Sequence, residues 1–174
     1  MQHPVDGLSL ILLVIKITWQ SLNIYVLDKA GNAIYRYAGS GSSFGDKQDW
    51  LAAGSRVDFS DAAQWVIDGS VYIRFPNSKV VKFSQGSPQS FSVTGAVPEI
   101  GSIDAIYADA DNADIYLLDK AGKRIVVTDK KGKYLAQYIG DQIAGTTGLV
   151  VSEADKKIIL LTGDKLYSID IKHL

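Results

Sequence analysis

The residues with the clearest chemical potential are acidic and lie in the segment DADNAD at 109–114. Alternating carboxylates are typical of calcium loops, which also need a glycine at the sixth position and a glutamate at the twelfth. Asp109 and Asp111 fit this pattern, but Asp114 occupies the sixth position and Lys120 the twelfth. A hairpin between two strands uses the same residue types without any ligand. The sequence therefore predicts a turn here and no metal site.

Two other segments contain residue types that bind phosphate. The stretch GSGSSFG at 39–45 is rich in glycine and serine, but it has neither the GxGxxG spacing nor the GK[ST] ending of a phosphate-binding loop. Basic residues cluster between 120 and 133, interleaved with Asp119 and Asp129. Solvated loops and hairpin turns account for both segments, so the sequence predicts no cofactor and no nucleic-acid partner.

The composition excludes several functional classes. The 174 residues include 18 Lys and Arg and 19 Asp and Glu, for a net charge of −1, so no global field attracts nucleic acid or anionic membrane. There is no cysteine, which excludes disulfides, thiolate nucleophiles and cysteine-based metal sites. His3 and His173 lie at opposite ends of the chain, which argues against a histidine-based triad or metal site.

The longest apolar stretch is LSLILLVI at 8–15. It is far shorter than the ~20 residues that a membrane-spanning helix needs. Asp6 precedes it, whereas a signal peptide has basic residues at that place. The sequence therefore predicts a buried strand, with no signal peptide and no transmembrane helix, and leaves the compartment open.

A fourfold repeat positions these residues. The segments IYVLDKAGNAIYRYAG at 24–39, VYIRFPNSKVVKFSQG at 71–86, IYLLDKAGKRIVVTDKKG at 115–132 and IILLTGDKLYSIDI at 158–171 each contain two β-rich runs around a polar turn. Their equivalent residues Tyr25, Tyr72, Tyr116 and Ile159 are 47, 44 and 43 positions apart. Short strands at this period are typical of β-propeller blades. We predict an all-β protein of the propeller type with about four blade repeats, each a four-stranded antiparallel sheet.

The repeats also predict individual strands and turns. In the third repeat we expect strands at 103–108, 114–119, 123–129 and 133–138, and in the second near 62–67, 70–75, 78–84 and 90–94. Gly31 and Gly122 occupy matching places in two LDKAG turns. This match predicts a positive φ at both glycines.

We interpret residues 1–174 as a single propeller domain with repeats at about 14–57, 58–99, 100–141 and 142–174. The fourth repeat lacks an outer strand, and the stretch 8–18 is longer than one inner strand needs. Residues 8–13 could close the last blade within one chain. Alternatively, the chain is a partial propeller, a fragment or subunit that completes a larger ring with another chain. Of these possibilities we favour a homodimer, because four blades alone make a tight ring.

The third repeat resembles the NHL and TolB-like families of propeller repeats, and the segment DFSDAAQWVIDGSVYIRFPNSKVVKFSQG looks like the C-terminal propeller of bacterial proteins related to PP2C-type phosphatases. The resemblance covers residues 20–171 and implies a propeller module that, in those relatives, generally has six blades. The chain lacks the clustered metal-binding aspartates of a phosphatase. The residues that match the NHL pattern are Ile115, Asp119, Gly122, Arg124, Ile125, Asp129, Gly132 and Lys133.

Candidate binding residues follow from the blade geometry. Loops at strand entrances and turns between the second and third strands lie on one face of a propeller, where they form the rim of a funnel. Asp61, Asp104 and Thr147 lie near three entrances, and the turns add Lys29, Arg124 and Lys165.

These observations favour a non-catalytic module for protein or ligand binding or scaffolding, with a protein partner or self-association and with no catalytic residues. Two alternatives remain open. One is a purely structural subunit of a larger ring, and the other is a propeller hydrolase or lyase that uses the funnel carboxylates Asp61 and Asp104.

Overall fold

The computed structural model of the chain describes residues 11–18 and 21–174. Over these ranges the protein is all-β, with sixteen strands in four antiparallel sheets and two short 3-10 helices, Pro76–Ser78 and Asp141–Gly145. Each sequence repeat forms one sheet, which confirms the predicted fold of four propeller-type blades. No helix in the described ranges is long and apolar enough to cross a membrane.

The chain divides into two compact units, and the first extends to Ala62 and includes Gln85–Pro88. It contains the first sheet, in which the first three strands pair in chain order as antiparallel neighbours. Two short strands, Ser43–Phe44 and Gln48–Asp49, both pair with the third strand, Ala33–Ser40. The strands are β1 (Ile11–Thr18), β2 (Ser21–Asp28), β3 (Ala33–Ser40), β4 (Ser43–Phe44) and β5 (Gln48–Asp49).

The second sheet follows a simple up-and-down order. Its strands are β6 (Gln64–Ile67), β7 (Ser70–Arg74), β8 (Val80–Ser84) and β9 (Ser87–Gln89). The outer strand predicted at 90–94 is wrong. Within that segment Thr94 forms an isolated parallel bridge with Lys133, so its backbone is used by the next repeat instead.

The third and fourth sheets have the same up-and-down order, but the fourth has three strands in the region that the structure describes. The strands of the third sheet agree with the sequence prediction to within two residues. The bounds are β10 (Ala105–Tyr107), β11 (Ile115–Asp119), β12 (Arg124–Thr128) and β13 (Tyr134–Ile139), followed by β14 (Thr146–Ser152), β15 (Lys157–Thr162) and β16 (Lys165–Asp170).

Within the second unit, the inner strand β10 lies against both β6 and β14, so the three sheets follow one another as propeller blades do. Side chains alternate between the faces of a strand. Tyr116 and Leu118 therefore belong to one core cluster with the fourth sheet, whereas Ile115 and Leu117 belong to another with the second sheet. The strands β11 and β12 of the third sheet are therefore buried on both faces.

The prediction of positive φ at Gly31 and Gly122 is wrong. The left-handed residues are the next ones along the chain, Asn32 with φ 51° and Lys123 with φ 50°. The two glycines instead leave room for the aspartate side chain of the turn. A Cβ atom at Gly31 or Gly122 would lie 2.6 Å from the Oδ2 atom of the aspartate that begins its turn.

Part of the apolar stretch near the N-terminus and the acidic segment at 109–114 have defined places in the fold. Residues 11–13, part of the segment considered for closing the last blade, pair with residues 26–28 in the first sheet. Residues 8–10 lie outside the described ranges. The segment 109–114 connects β10 to β11, as its turn composition predicts.

Candidate functional site

The six predicted rim residues are divided between the two units. In the first unit, Lys29 donates a hydrogen bond from Nζ to the Ala62 carbonyl at 2.8 Å, and Asp61 is exposed. In the second unit, the other four lie at corresponding ends of the third and fourth sheets. Those residues are Asp104, just before β10, Arg124 at the start of β12, Thr147 near the start of β14 and Lys165 at the start of β16.

Asp104 holds two loops together. Its Oδ2 atom accepts hydrogen bonds from the Ser102 hydroxyl at 3.1 Å and from the Lys120 backbone N–H at 2.8 Å. The carboxylate thereby joins the entrance of β10 to the turn between β11 and β12. Its hydrogen bonds serve the local backbone.

Arg124 is 3% exposed, and its guanidinium is almost fully used inside the protein. Its Nε donates to Asp119 Oδ2 at 2.9 Å, and its Nη1 donates to the Pro98 carbonyl at 2.8 Å and to Gln137 Oε1 at 3.1 Å. Its Nη2 donates to the Glu99 carbonyl at 2.8 Å. The side chain therefore anchors the loop at 98–99 to the third sheet.

The two remaining rim residues belong to the fourth sheet. The Thr147 hydroxyl donates to the Leu161 carbonyl at 3.2 Å, which supports the register irregularity between Thr146 and Gly148. Lys165 is exposed, and its side chain forms no hydrogen bond or ion pair with the residues that the structure describes. The role of the six residues in binding a ligand stays a prediction.

A solvent-open pocket of about 830 Å³ lies elsewhere in the second unit, and no sequence pattern pointed to it. It lies where β8 and the segment at 89–94 meet the turn between β12 and β13. Five serine or threonine residues and one glutamine line it, and its charged residues are Lys82, Lys131, Lys133 and Asp129. We call it the lysine pocket.

Asp129 shapes the turn that contributes two of these lysines. Its Oδ1 atom accepts hydrogen bonds from the backbone N–H groups of Lys131 at 2.8 Å and Lys133 at 3.0 Å. Partial burial acts to raise the pKa of Asp129, but the N–H groups of Lys133, Lys131 and Gly132 outweigh it and lower that pKa below its ordinary value. The carboxylate therefore remains charged and is stabilised by its own turn.

Close backbone packing fixes this turn against the segment before the third sheet. Gly132 has φ 95°, and a Cβ atom there would lie 2.2 Å from the Ser92 carbonyl oxygen. Thr94 donates its N–H to the Gly132 carbonyl at 3.0 Å and accepts from the N–H of Tyr134 at 2.9 Å. Only glycine permits this approach, so the wall of the pocket is rigid.

Lys82 contributes the most buried charge of the pocket. Its Nζ donates to the Lys130 carbonyl at 2.7 Å and lies 5.1 Å from the centroid of the Tyr72 ring. Burial lowers the pKa of Lys82, although the nearby Asp68 acts in the opposite direction. Lys130 itself is paired with Asp68 Oδ2 at 2.5 Å, so that carboxylate is committed to another lysine.

A second polar network connects the third sheet to the C-terminal segment. His173 lies 2.6 Å from the Tyr138 hydroxyl through Nδ1 and 3.2 Å from Asp114 Oδ2 through Nε2. Glu153 accepts hydrogen bonds from the backbone N–H groups of Ala113 at 2.6 Å and Asp114 at 3.0 Å. Residues 109–114 thus form a docking point for the fourth repeat. No local sequence pattern predicts this contact, because Asp114 and His173 are 59 positions apart.

The described part of the chain contains no group of three or more His, Cys, Asp or Glu side chains that could hold a metal ion. No protein-family model matches the chain, and no curated protein shows significant similarity to it. The fold defines the class as propeller-type. The resemblance to NHL and TolB-like repeats and to the phosphatase-related propellers stays a prediction.

Proposed function

We propose that this chain is a non-catalytic binding or scaffold module that associates with a second copy of itself through the fourth sheet. Two features support a role without catalysis. The Asp104 carboxylate accepts hydrogen bonds from its own loops, and the Arg124 guanidinium is buried in an internal network. The observation that carries the proposal is the outer face of the fourth sheet.

This face is apolar and uncovered. On β15, Ile158 and Leu160 are buried against the third sheet, so the alternate residue Leu161 points away from it. Leu161 lies opposite Leu166 on β16, and both are exposed, as is Val150 on β14. In the third sheet, by contrast, the strands β11 and β12 are covered on both faces by core clusters. Propeller blades bury both faces, so this face is expected to have a partner.

A second copy of the chain fits this face. The charged residues that share it, Lys157 and Asp170, lie opposite each other and form an ion pair, so a copy would not meet an unbalanced charge. An apolar, neutral patch is complementary to itself, which is what a twofold interface requires. The edge of β16 is also unpaired among the described strands and adds backbone groups that a partner strand can use.

The test is the mass of the full chain in solution, measured by light scattering. We expect a dimer at concentrations on the order of 100 μM. The substitution Leu166→Glu should dissociate it, because the substitution places a charge in the apolar face. The matched control is Ile139→Glu, since Ile139 on β13 is 72% exposed, as Leu166 is.

A monomeric wild-type chain at that concentration would contradict the proposal. Equal dissociation by Ile139→Glu would also contradict it, because Ile139 lies in the third sheet and not on the proposed face. Circular dichroism of each variant establishes that the sheets remain folded, so a loss of mass can be assigned to the interface.

A further inference from the structure

The lysine pocket has the size of a small-molecule site. Its volume of about 830 Å³ lies within the range of roughly 300–1,000 Å³ that ligand pockets occupy. It is lined by residues of the second unit only, and it is separate in sequence from the strands of the fourth sheet. A function of this pocket would therefore add to self-association and would not depend on it.

The pocket carries an unbalanced positive charge. Three lysines line it against the single carboxylate of Asp129. Lys131 and Lys133 form no hydrogen bond or ion pair through their side chains with any residue the structure describes. Asp129 accepts hydrogen bonds from the backbone of its own turn, and its single negative charge only partly offsets the three lysines.

The third lysine is held in place before any ligand arrives. The Lys82 ammonium group uses one of its three N–H donors for the Lys130 carbonyl, and the Tyr72 ring lies beneath it. A half-buried ammonium group loses part of its hydration, and a nearby anion restores the lost stabilisation. The remaining donors of Lys82 are available for such an anion.

The rest of the lining is rich in hydroxyl groups. Ser84, Ser90, Ser92 and Thr94 contribute side chains that both donate and accept hydrogen bonds. The backbone bonds between Thr94 and Gly132 fix one wall, so little ordering is required when a ligand binds. Donors and acceptors arranged this way match the hydroxyl groups of a sugar or another polyol.

We propose that the lysine pocket binds a small anionic polyol, of the chemical class of a sugar phosphate. The phosphate would lie among the ammonium groups of Lys82, Lys131 and Lys133, and the polyol would contact the serine and threonine hydroxyls. The whole chain has a net charge of only −1, and the three lysines are confined to one pocket. A long polyanion would need a more extended basic surface, so a compact anion is the better match.

The test is a titration of the ¹⁵N-labelled full chain with glucose 6-phosphate, followed by the amide NMR signals. We expect saturable shifts at Lys82, Thr94 and residues 129–133. The double substitution Lys131→Gln and Lys133→Gln should weaken binding at least about tenfold, because it removes two charge-assisted hydrogen bonds. Binding should also weaken as sodium chloride is raised.

The matched control is the double substitution Lys120→Gln and Lys156→Gln, which removes the same charge from lysines outside the pocket. It should leave the affinity unchanged. Glucose should bind far more weakly than glucose 6-phosphate, and inorganic phosphate should bind more weakly because it lacks the hydroxyl contacts.

Three results would overturn the proposal. The first is the absence of saturable shifts at the pocket. The second is equal weakening by the control substitutions, which would show general charge attraction. The third is equal affinity for inorganic phosphate and glucose 6-phosphate, which would show that the hydroxyl lining does not contribute to binding.

Discussion

The LDKAG turn occurs once in the first sheet and once in the third, and its two copies share a geometry. In each, the aspartate accepts a hydrogen bond from the glycine three residues later, from Gly31 to Asp28 and from Gly122 to Asp119, both at 2.8 Å. In each, the residue after the glycine is left-handed. Five identical residues therefore produce the same local backbone in two different units.

The two copies differ at the residue that pairs with the aspartate across the hairpin. Ala33 lies opposite Asp28, whereas Arg124 lies opposite Asp119. Arg124 forms a buried ion pair with Asp119 and reaches the loop at 98–99. The LDKAG motif therefore determines the backbone of the turn. The residue that follows it across the hairpin, Arg124 or Ala33, determines whether the turn also holds a distant loop.

The largest effect is expected for Arg124→Ala. The substitution leaves the Asp119 carboxylate buried without its ion-pair partner and releases the loop carbonyls of Pro98 and Glu99. We expect the free energy of unfolding to fall by about 3–5 kcal/mol, measured by urea denaturation. The control is Arg56→Ala, at an exposed position.

The double variant Asp119→Ala with Arg124→Ala makes this prediction sharper. Removing both charges should cost less than the sum of the two single substitutions, because neither partner is then left buried alone. A loss below about 1 kcal/mol for Arg124→Ala would contradict the role assigned to this ion pair.

The next largest effect is a difference in stability between alanine substitutions at the two glycines of the turns. A Cβ atom at Gly122 would lie 2.6 Å from Asp119 Oδ2 and 2.9 Å from Arg124 Nε, and the ion pair holds both atoms in place. A Cβ atom at Gly31 would lie 2.6 Å from Oδ2 of the partly exposed Asp28 and would meet no arginine. We expect Gly122→Ala to cost roughly 1–3 kcal/mol and Gly31→Ala clearly less, by the same denaturation measurement. Equal losses would show that the ion pair does not make the third turn rigid.

The sequence predicted the sheets better than it predicted the sites, and the third repeat shows why. Strands β11 and β12 were predicted to within two residues because each is an apolar run between polar turns. The outer strand of the second sheet was misplaced, since Thr94 pairs with Lys133 of another repeat. Pairing between repeats leaves no local pattern.

The lysine pocket was unpredictable for a similar reason. Lys82 and Lys131 belong to different repeats, and they come together only because β8 packs beside the turn after β12. The cluster at 120–133 was recognised as basic, but its members have unlike environments. Arg124 is buried in an ion pair, Lys123 is paired with the exposed Asp141, and Lys131 faces the pocket.

The left-handed residues that follow the two glycines should respond to substitution with smaller changes in stability, and the two changes should have opposite signs. Asn32 and Lys123 have nearly the same positive φ, which glycine adopts at lower cost. Lys123→Gly also removes the exposed ion pair with Asp141, which contributes little, whereas Asn32→Gly removes the hydrogen bond that Asn32 Oδ1 accepts from the backbone N–H of Phe59 at 2.8 Å. We expect Lys123→Gly to raise the melting temperature by about 1–3 °C and Asn32→Gly to lower it. A change of the same sign in both variants would contradict the role given to the Asn32 side chain.

The smallest effect is expected when the arginine–aspartate pair of the third sheet is copied into the first sheet. Ala33→Arg places a guanidinium opposite Asp28, in the register that Arg124 and Asp119 have. Asp28 and Ala33 are only half-buried, and an ion pair in such a solvated place contributes about 0–1 kcal/mol. We therefore expect urea denaturation to show little or no gain, and any gain should decrease as salt is added. A gain as large as the loss in Arg124→Ala would show that the ion pair alone stabilises the third turn. A small gain would assign most of that stabilisation to burial and to the loop carbonyls that Arg124 holds.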